Sequence, residues 1–150
     1  MNLTDHFTLE EFLHSQEAAR MGRALDPPPE VVANLKRLCV TVLEPLRIAL
    51  GRPIVVSSGY RPEWLNSLIG GAATSAHMTG RAADIETIGM TPQTLARFIQ
   101  RQNLPADKVI LEFGSWVHCQ VSPGTDIAPR RQYLTASRAA GQTQYVEGLA

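Results

Sequence analysis

The ten residues SAHMTGRAAD, at positions 75–84, are the stretch around which the fold of this chain is predicted to form. His77 and Asp84 stand seven residues apart, with Gly80 between them. Glycine permits a sharp turn, and the segment RAADIE at 81–86 has the length and alternation of a short β-strand. We therefore expect a loop histidine to fold back toward an aspartate on a strand, either as metal ligands or as ordinary residues of a turn and a strand.

The chain before this stretch is predicted to be helical. Thr8 and Glu11 have the spacing of a capping box, which indicates a short helix beginning there. The segment DPPP at 26–29 cannot be helical throughout, so it predicts an extended entry to a longer helix. One buried face of that helix is predicted from apolar residues three and four positions apart: Val31, Leu35, Leu38 and Val42. Pro45 predicts a kink or an end in this helix, and Gly51 predicts a stop.

A strand and a further helix are predicted on either side of the ten-residue stretch. The β-branched run PIVVSS at 53–58 predicts a strand that opens into a loop at Gly59. Thr91 followed by Pro92 is typical of a helix N-terminus, so we expect a helix that continues to about Gln102.

Two hairpins are predicted in the last third of the chain. The runs KVILEF at 108–113 and WVHCQVS at 116–122 are separated by Gly114–Ser115, and a two-residue gap is typical of a hairpin. A second, exposed hairpin is predicted at about 131–149. With helices first and strands later, the sequence predicts an α+β fold. In it, N-terminal helices pack on a mainly antiparallel β-sheet, and the candidate site lies on the sheet face.

Length and composition favour one domain over residues 1–150, with a motif core at about 53–122. Hydrophobic residues make up 44% of the chain, enough for a substantial core. Lys plus Arg equals Asp plus Glu at 14 each, which argues against nucleic-acid binding, because such proteins concentrate basic residues on one face. The apolar runs are shorter than the roughly 20 residues that span a bilayer, so no membrane insertion is expected. We also expect a monomer.

The N-terminus and the cysteines point to one compartment. The segment MNLTDHFTLEEF at 1–12 lacks the basic start and apolar core of a secretion signal, so we expect a protein that is cytoplasmic as synthesised. Cys39 and Cys119 fit no C-x-x-C pattern. In a reducing compartment we expect both to be buried thiols without a disulfide.

A metal site is one interpretation of the histidine and aspartate in SAHMTGRAAD. A catalytic zinc usually takes three protein ligands and keeps a fourth position open, and His77 and Asp84 would supply two of the three. The third would come from His6, His14 or His118. The first two lie on or beside a polar N-terminal helix, so His118, in the middle of a predicted strand, is the better candidate. For each histidine, a satisfied surface or core residue is the alternative.

A metal-dependent hydrolase also needs a carboxylate near the attacking water. Glu112 lies six residues before His118, which is about 20 Å along one straight strand. A two-residue turn would pair Glu112 with Val117 and bring Glu112 diagonally beside His118. A solvated carboxylate near a hairpin end is an equally compatible interpretation. Glu86, on the same strand face as Asp84, is the next candidate for the base.

Arg61 is the candidate for contact with a substrate. It lies in SSGYRP, on the loop after the strand at 53–58. A guanidinium there could hold a substrate carboxylate or stabilise the oxyanion of a tetrahedral intermediate. An ordinary surface arginine is the more common alternative. Trp64 and Trp116 are expected to be packing residues.

The residues taken together resemble one enzyme family. SAHMTGRAAD fits the pattern S-x-H-x-x-G-x-A-x-D in full, with SSGYRPEWLN before it and VILEFGSWVH after it. In this order they resemble the zinc D-alanyl-D-alanine carboxypeptidases and L-alanyl-D-glutamate endopeptidases, which cut peptidoglycan stem peptides. The resemblance extends from FTLEEFLHS to QYVEGL and is greatest to the small phage-type members.

The resemblance implies the residues of an active site. It implies that His77, Asp84 and His118 ligate Zn2+ and that Arg61 stabilises the substrate or the transition state. It also implies a catalytic acid/base carboxylate close before the last histidine. Several branches of the family have this carboxylate three residues before that histidine.

At that position this chain has Ser115, and Glu112 is the nearest acid. Glu112 is therefore the expected general base. The absence of an acid at position 115 favours the alternative of a non-catalytic, zinc-containing module that binds the cell wall or forms part of a virion. The retention of Glu112 and Arg61 favours the enzyme.

The resemblance implies hydrolysis of a D-Ala-D-Ala or an L-Ala-D-Glu bond in a stem peptide. A wall-degrading enzyme without a secretion signal needs a release event, such as membrane permeabilisation during phage lysis. We therefore expect a phage or prophage endolysin that acts on the wall after its release.

Overall fold

The computed structural model describes residues 1–149; Ala150, at the end of the predicted domain, lies outside them. The α-helices in this range are α1 (Gln16–Arg20), α2 (Pro29–Leu38), α3 (Glu44–Leu50), α4 (Glu63–Leu68) and α5 (Pro92–Gln102). The β-strands are β1 (Val55–Ser58), β2 (Ala82–Glu86), β3 (Lys108–Glu112), β4 (Trp116–Gln120), β5 (Gln132–Ala139) and β6 (Gln142–Glu147). Three helices precede the first strand, and this α+β arrangement confirms the predicted fold class.

The predicted long helix runs without a break from α2 into α3. A π-helical turn, Cys39–Leu43, joins them, and the backbone N–H of Glu44 donates to the carbonyl of Cys39. Pro45 lies in the first turn of α3. Proline has no N–H to donate and crowds the carbonyl four residues earlier, and the wider turn accommodates both effects. Pro45 therefore alters the helix without ending it, and Gly51, with a φ of 70°, ends it as predicted.

The strands form one sheet in the order β1-β2-β4-β3-β5-β6. Neighbouring strands are antiparallel except β3 and β5, which are parallel. The prediction of a mainly antiparallel sheet is confirmed. The C-terminal hairpin of β5 and β6 does not stand apart from the sheet, because β5 pairs along its length with β3.

Alternation along the central strands divides the sheet into a core face and an open face. The core face packs against the helices with these buried residues: Ala83, Ile85, Val109, Leu111, Val117 and Cys119. The apolar stripe predicted for the long helix is buried in the same core. Asp84, Glu112 and His118 alternate with those residues, so their side chains lie on the open face.

Cys39 and Cys119 are both buried free thiols, as predicted. Burial raises the pKa of each thiol to about 12, so both stay protonated at neutral pH. None of the helices formed by residues 1–149 is long and apolar enough to cross a membrane.

Gly80 makes the turn that joins a short 3₁₀ helix, Ala76–Thr79, to β2. Its φ of 75° lies in the left-handed region, where a side chain is strained. A Cβ at this position would lie 2.7 Å from the carbonyl oxygen of Val31 and 2.8 Å from Val31 Cγ1. The turn therefore needs glycine both for its backbone conformation and for its contact with α2.

We expect Gly80→Ala to lower the free energy of unfolding by about 2–5 kcal/mol, because about 1–2 kcal/mol of backbone strain adds to about 1–3 kcal/mol of crowding. Gly51→Ala is the matched control, since Gly51 has a φ of 70° and a Cβ added there would meet no atom within 4 Å. In Gly51→Ala, the free energy of unfolding should fall only by the contribution of backbone strain. Urea unfolding measures both, and equal losses would contradict the steric role of the contact with Val31.

Candidate functional site

Three buried side chains converge on the open face of the sheet. His77 comes from the 3₁₀ helix, Asp84 from β2 and His118 from β4. His77 Nε2 lies 3.2 Å from Asp84 Oδ1, and His118 Nδ1 lies 3.1 Å from the same oxygen. One nitrogen or oxygen from each residue lies within 4.8 Å of the others, a grouping suited to a metal ion.

Local structure places each of the three residues. Ser75 caps the 3₁₀ helix by accepting a hydrogen bond from the backbone N–H of His77 at 3.2 Å. The turn at Gly80 then returns the chain to β2. Asp84 is the direct partner of His118 in the antiparallel pairing of β2 with β4, so the two side chains lie side by side on one face.

In each imidazole, the ring nitrogen that faces away from Asp84 donates a hydrogen bond to an oxygen of the protein. His77 Nδ1 lies 2.8 Å from the carbonyl oxygen of Gly59 and donates to it, which leaves the Nε2 lone pair facing Asp84. His118 Nε2 lies 2.8 Å from Gln120 Oε1 and donates to it, which leaves the Nδ1 lone pair facing Asp84. Partners of this kind fix the tautomers of metal-binding histidines.

Gln120 is itself oriented by a chain of polar groups. Its Nε2 donates to Asp107 Oδ2 at 3.4 Å, so its oxygen is the atom that faces His118. Asp107 accepts two hydrogen bonds from the guanidinium of Arg130, at 3.1 and 2.8 Å. These bonds from Arg130 hold the pKa of Asp107 at about 2, so the carboxylate stays ionised.

The cluster fits a divalent cation. Two nitrogen lone pairs face one carboxylate oxygen at 3.1 and 3.2 Å, an arrangement that is repulsive unless a cation or a proton lies among them. Ligand atoms about 2.0–2.1 Å from a tetrahedral zinc lie about 3.3 Å from one another, close to these separations. Two imidazoles and one carboxylate are also a donor set that zinc accepts with a further position open.

Burial and charge set the protonation of the three residues. Burial lowers the pKa of His77 despite the nearby Asp84. Burial opposes the charged form of Asp84, but the two histidines prevail and hold its pKa well below the ordinary value. Burial likewise opposes charge on His118, yet Asp84 and Glu112 raise its pKa. A cation at this place would compete with the proton of His118.

Glu112 lies beside the cluster, although the predicted pairing of its hairpin is wrong. The turn has three residues, Phe113 to Ser115, and it pairs Glu112 with Trp116 rather than with Val117. Phe113 adopts a φ of 56°. A left-handed conformation is expected at glycine, so the sequence does not indicate it at a phenylalanine. Pairing with Val117 would have put Glu112 on the core face, since a one-residue shift reverses the faces of a strand.

The observed pairing puts the Glu112 carboxylate within the candidate site. Its Oε1 lies 3.6 Å from His118 Nδ1. Burial raises the pKa of Glu112, and Asp84 adds to this, while His118 and Arg61 oppose it. A raised pKa makes a carboxylate a stronger base, which suits a group that takes up and returns a proton.

Arg61 follows β1 and lines the cleft beside the cluster. Its backbone N–H donates to the carbonyl of His77 at 3.0 Å, and its Nη2 lies 3.5 Å from Ser75 Oγ. Its buried Nε has no hydrogen-bond partner within residues 1–149. Burial lowers the pKa of Arg61, opposed by Asp84 and Glu112, but an arginine remains charged.

The remaining sequence candidates lie elsewhere. His6 Nδ1 is 2.6 Å from Glu44, and His14 Nε2 is 3.0 Å from the carbonyl of Val56. Glu86 is exposed at the end of β2 and does not line the cleft. The structure thus brings together the five residues singled out from the sequence and separates the other candidates from them.

These five residues line a cleft of about 970 Å³. One side of the cleft is the loop that follows α4, at 69–76, and the other side is the β5–β6 hairpin. Sequence reasoning missed Gln120, although its spacing of two from His118 on one strand was a signal. It also assigned Trp116 to packing, whereas Trp116 lines the cleft and its buried Nε1 has no hydrogen-bond partner in the described range.

A buried His-Asp-His cluster with a carboxylate beside it in an open cleft is an arrangement suited to a metal-dependent hydrolase. A family model described as Peptidase M15 matches residues 5–120. The chain belongs to the peptidase M15 family, and this membership implies a metallopeptidase. No curated protein matches the sequence.

Proposed function

We propose that this chain is a zinc peptidase that hydrolyses a bond of the D-Ala-D-Ala or L-Ala-D-Glu type in peptidoglycan stem peptides, with residues 1–150 acting as one peptidase domain. The observation that carries the proposal is the position of Glu112, whose Oε1 lies 3.6 Å from His118 Nδ1 at the edge of the His77–Asp84–His118 cluster. Membership of the M15 family supports the class of enzyme.

In this proposal His77, Asp84 and His118 hold the zinc ion. When bound, zinc supplies Lewis acidity: it polarises a carbonyl oxygen and acidifies water. His77 would ligate through Nε2 and His118 through Nδ1, because Gly59 and Gln120 occupy the other nitrogens. Three protein donors leave one position open for the reacting groups, which suits catalysis better than a purely structural site.

Glu112 is the proposed general base and acid. Its carboxylate accepts a proton from the attacking water and then delivers that proton to the departing amine. The raised pKa of Glu112 supports the second step, because a carboxyl group that holds its proton more tightly remains protonated long enough to act as the acid. Arg61, which lines the same cleft, is proposed to stabilise the negative charge that develops on the carbonyl oxygen.

For the biological role we propose a phage or prophage endolysin, supported by the resemblance to small phage-type members of the family. One observation favours a second candidate, a non-catalytic zinc-containing module of the same fold: Ser115 stands where several family branches have an acid. Digesting purified peptidoglycan and identifying new termini by mass spectrometry separates the two and identifies the bond. Zinc-loaded protein that releases no new termini would support the module.

The purified protein should contain about one zinc per chain, and His77→Ala should lose most of it together with activity and some stability, because metal binding and folding are coupled. His6→Ala is the control, since His6 contacts Glu44 away from the cluster. Elemental analysis of the three proteins decides the matter. Equal zinc in wild type and His77→Ala would refute the ligand assignment.

Replacing Glu112 by Gln should lower turnover by about 10²–10⁴, because the amide cannot accept a proton. Zinc content and melting temperature should stay close to wild type, since burial already disfavours the charge of Glu112. Glu86→Gln is the matched control and should keep wild-type turnover. Normal turnover in Glu112→Gln would exclude Glu112 as the base.

Gln120→Leu removes the acceptor that fixes the tautomer of His118, and it should weaken zinc affinity by about 10–100-fold. Competition with a chelator measures the affinity. Ser122→Ala is the control, because Ser122 is also buried but donates to the carbonyl of Gly124 rather than contacting His118. A similar loss in both variants would show that general disruption, and not the orientation of His118, causes the effect.

A further inference from the structure

The β5–β6 hairpin lies outside residues 5–120, the part of the chain that the family model matches. It nevertheless supplies one side of the cleft, through Leu134, Arg138, Thr143 and Tyr145. The parallel pairing of β5 with β3 brings it there. This side of the cleft is therefore an addition to the part that carries the His-Asp-His cluster.

Strand pairing places hairpin residues in line with Glu112. Glu112 pairs with Ala136 in β5, and Ala136 pairs with Tyr145 in β6, so the three side chains share one face of the sheet. Ala136 is small and buried, which leaves the space above it to its larger neighbours. Burial, with a smaller contribution from the charge of Glu112, raises the pKa of Tyr145.

Arg138 lies two residues beyond Ala136 on the same face of β5. Its guanidinium carbon lies 5.0 Å from the centroid of the Phe113 ring, and its side chain forms no ion pair or hydrogen bond within residues 1–149. Stacking on an aromatic ring restrains an arginine while leaving its N–H groups free for a planar anion. The acidic side chains that line the cleft have other partners: Asp84 and Glu112 lie in or beside the His-Asp-His cluster, and Asp107 accepts hydrogen bonds from Arg130.

The distance from the cluster to Arg138 fits a peptide. β5 is two strands away from β4, which carries His118, and neighbouring strands are about 4.8 Å apart. Arg138 is also four residues beyond Leu134, which is in line with His118 through Ile110, so it lies about 13 Å farther along the strand direction. Its Cα is therefore on the order of 16 Å from that of His118. With the reach of the arginine side chain, a bound substrate atom lies on the order of 10–16 Å from the cluster, which an extended peptide covers in about three to five residues.

We propose that the β5–β6 hairpin is a substrate-binding wall of the cleft and that Arg138 binds a carboxylate of the peptide substrate about three to five residues from the bond that is cut. This proposal rests on the proposed function of the same site. It makes Arg138 a specificity residue that distinguishes a substrate with a free carboxylate from its amidated form.

The test compares synthetic peptides L-Ala-γ-D-Glu-L-Lys-D-Ala-D-Ala in which each carboxylate in turn is free or amidated. One of these carboxylates should prove to be the partner of Arg138. When that carboxylate is free, Arg138→Gln should raise KM about 10-fold or more and leave kcat within about twofold of wild type, because an ionic hydrogen bond is lost in binding. With that carboxylate amidated, wild type and Arg138→Gln should have equal KM. Arg138→Lys should recover part of the effect.

Arg101→Gln is the matched control, because Arg101 also lies over an aromatic ring, 5.9 Å from the centroid of Phe98, but does not line the cleft. It should keep wild-type KM for every peptide. An equal change in KM for the free and amidated forms, or no change, would overturn the role of Arg138.

Binding of the same peptides to the zinc-loaded proteins, measured by calorimetry, separates this proposal from the proposed function. If wild type cleaves no peptide, the peptidase fails; a loss of affinity in Arg138→Gln that is confined to one free carboxylate would still support the binding wall. If wild type cleaves but all affinities are equal in Arg138→Gln, the peptidase stands and the wall is refuted.

Discussion

The Asp84 carboxylate is the group on which both the sheet and the site depend. Its Oδ1 lies 3.2 Å from one imidazole nitrogen and 3.1 Å from another, and all three residues are buried. Burial of a charge is costly unless partners are held in place. The pairing of β2 with β4 and the turn at Gly80 supply those partners, so a one-residue slip of β2 would turn the carboxylate into the apolar core.

The parts of this arrangement that are local could be predicted from the sequence. The left-handed turn at Gly80, the helix stop at Gly51 and the alternation of β2 depend on backbone preferences of a few adjacent residues. The return of His77 toward Asp84 followed from one turn, which acts over fewer than ten residues. The position of His118 beside them depends on the pairing of β2 with β4, which joins residues 34 positions apart and was not predicted. His118 was instead indicated by its place in a predicted strand and by the family resemblance.

The parts that depend on distant packing could not be predicted. The β3–β4 turn takes an extra residue because Phe113, a non-glycine residue, adopts a φ of 56°, and its backbone N–H donates to the carbonyl of Ala136 on β5. Neither feature leaves a pattern in the turn itself. The support of Gln120 by Asp107 and Arg130 joins residues up to 23 positions apart, and no spacing rule reveals it.

Side-chain exposure on the open face increases from the central strands to the outer hairpin. This difference matches the two functions proposed for the cleft, which are catalysis at the cluster and substrate binding at the hairpin. Asp84 and His118 are each 6% exposed, whereas Tyr145, on the outermost strand, is 57% exposed. Groups that hold a cation and exchange protons gain from burial, because low dielectric strengthens their interactions and fixed partners define their geometry. Groups that receive a substrate must remain open to it. Joining an exposed hairpin to the buried strands through β5 provides both environments on one continuous face, with the parallel β3–β5 pairing as the boundary between them.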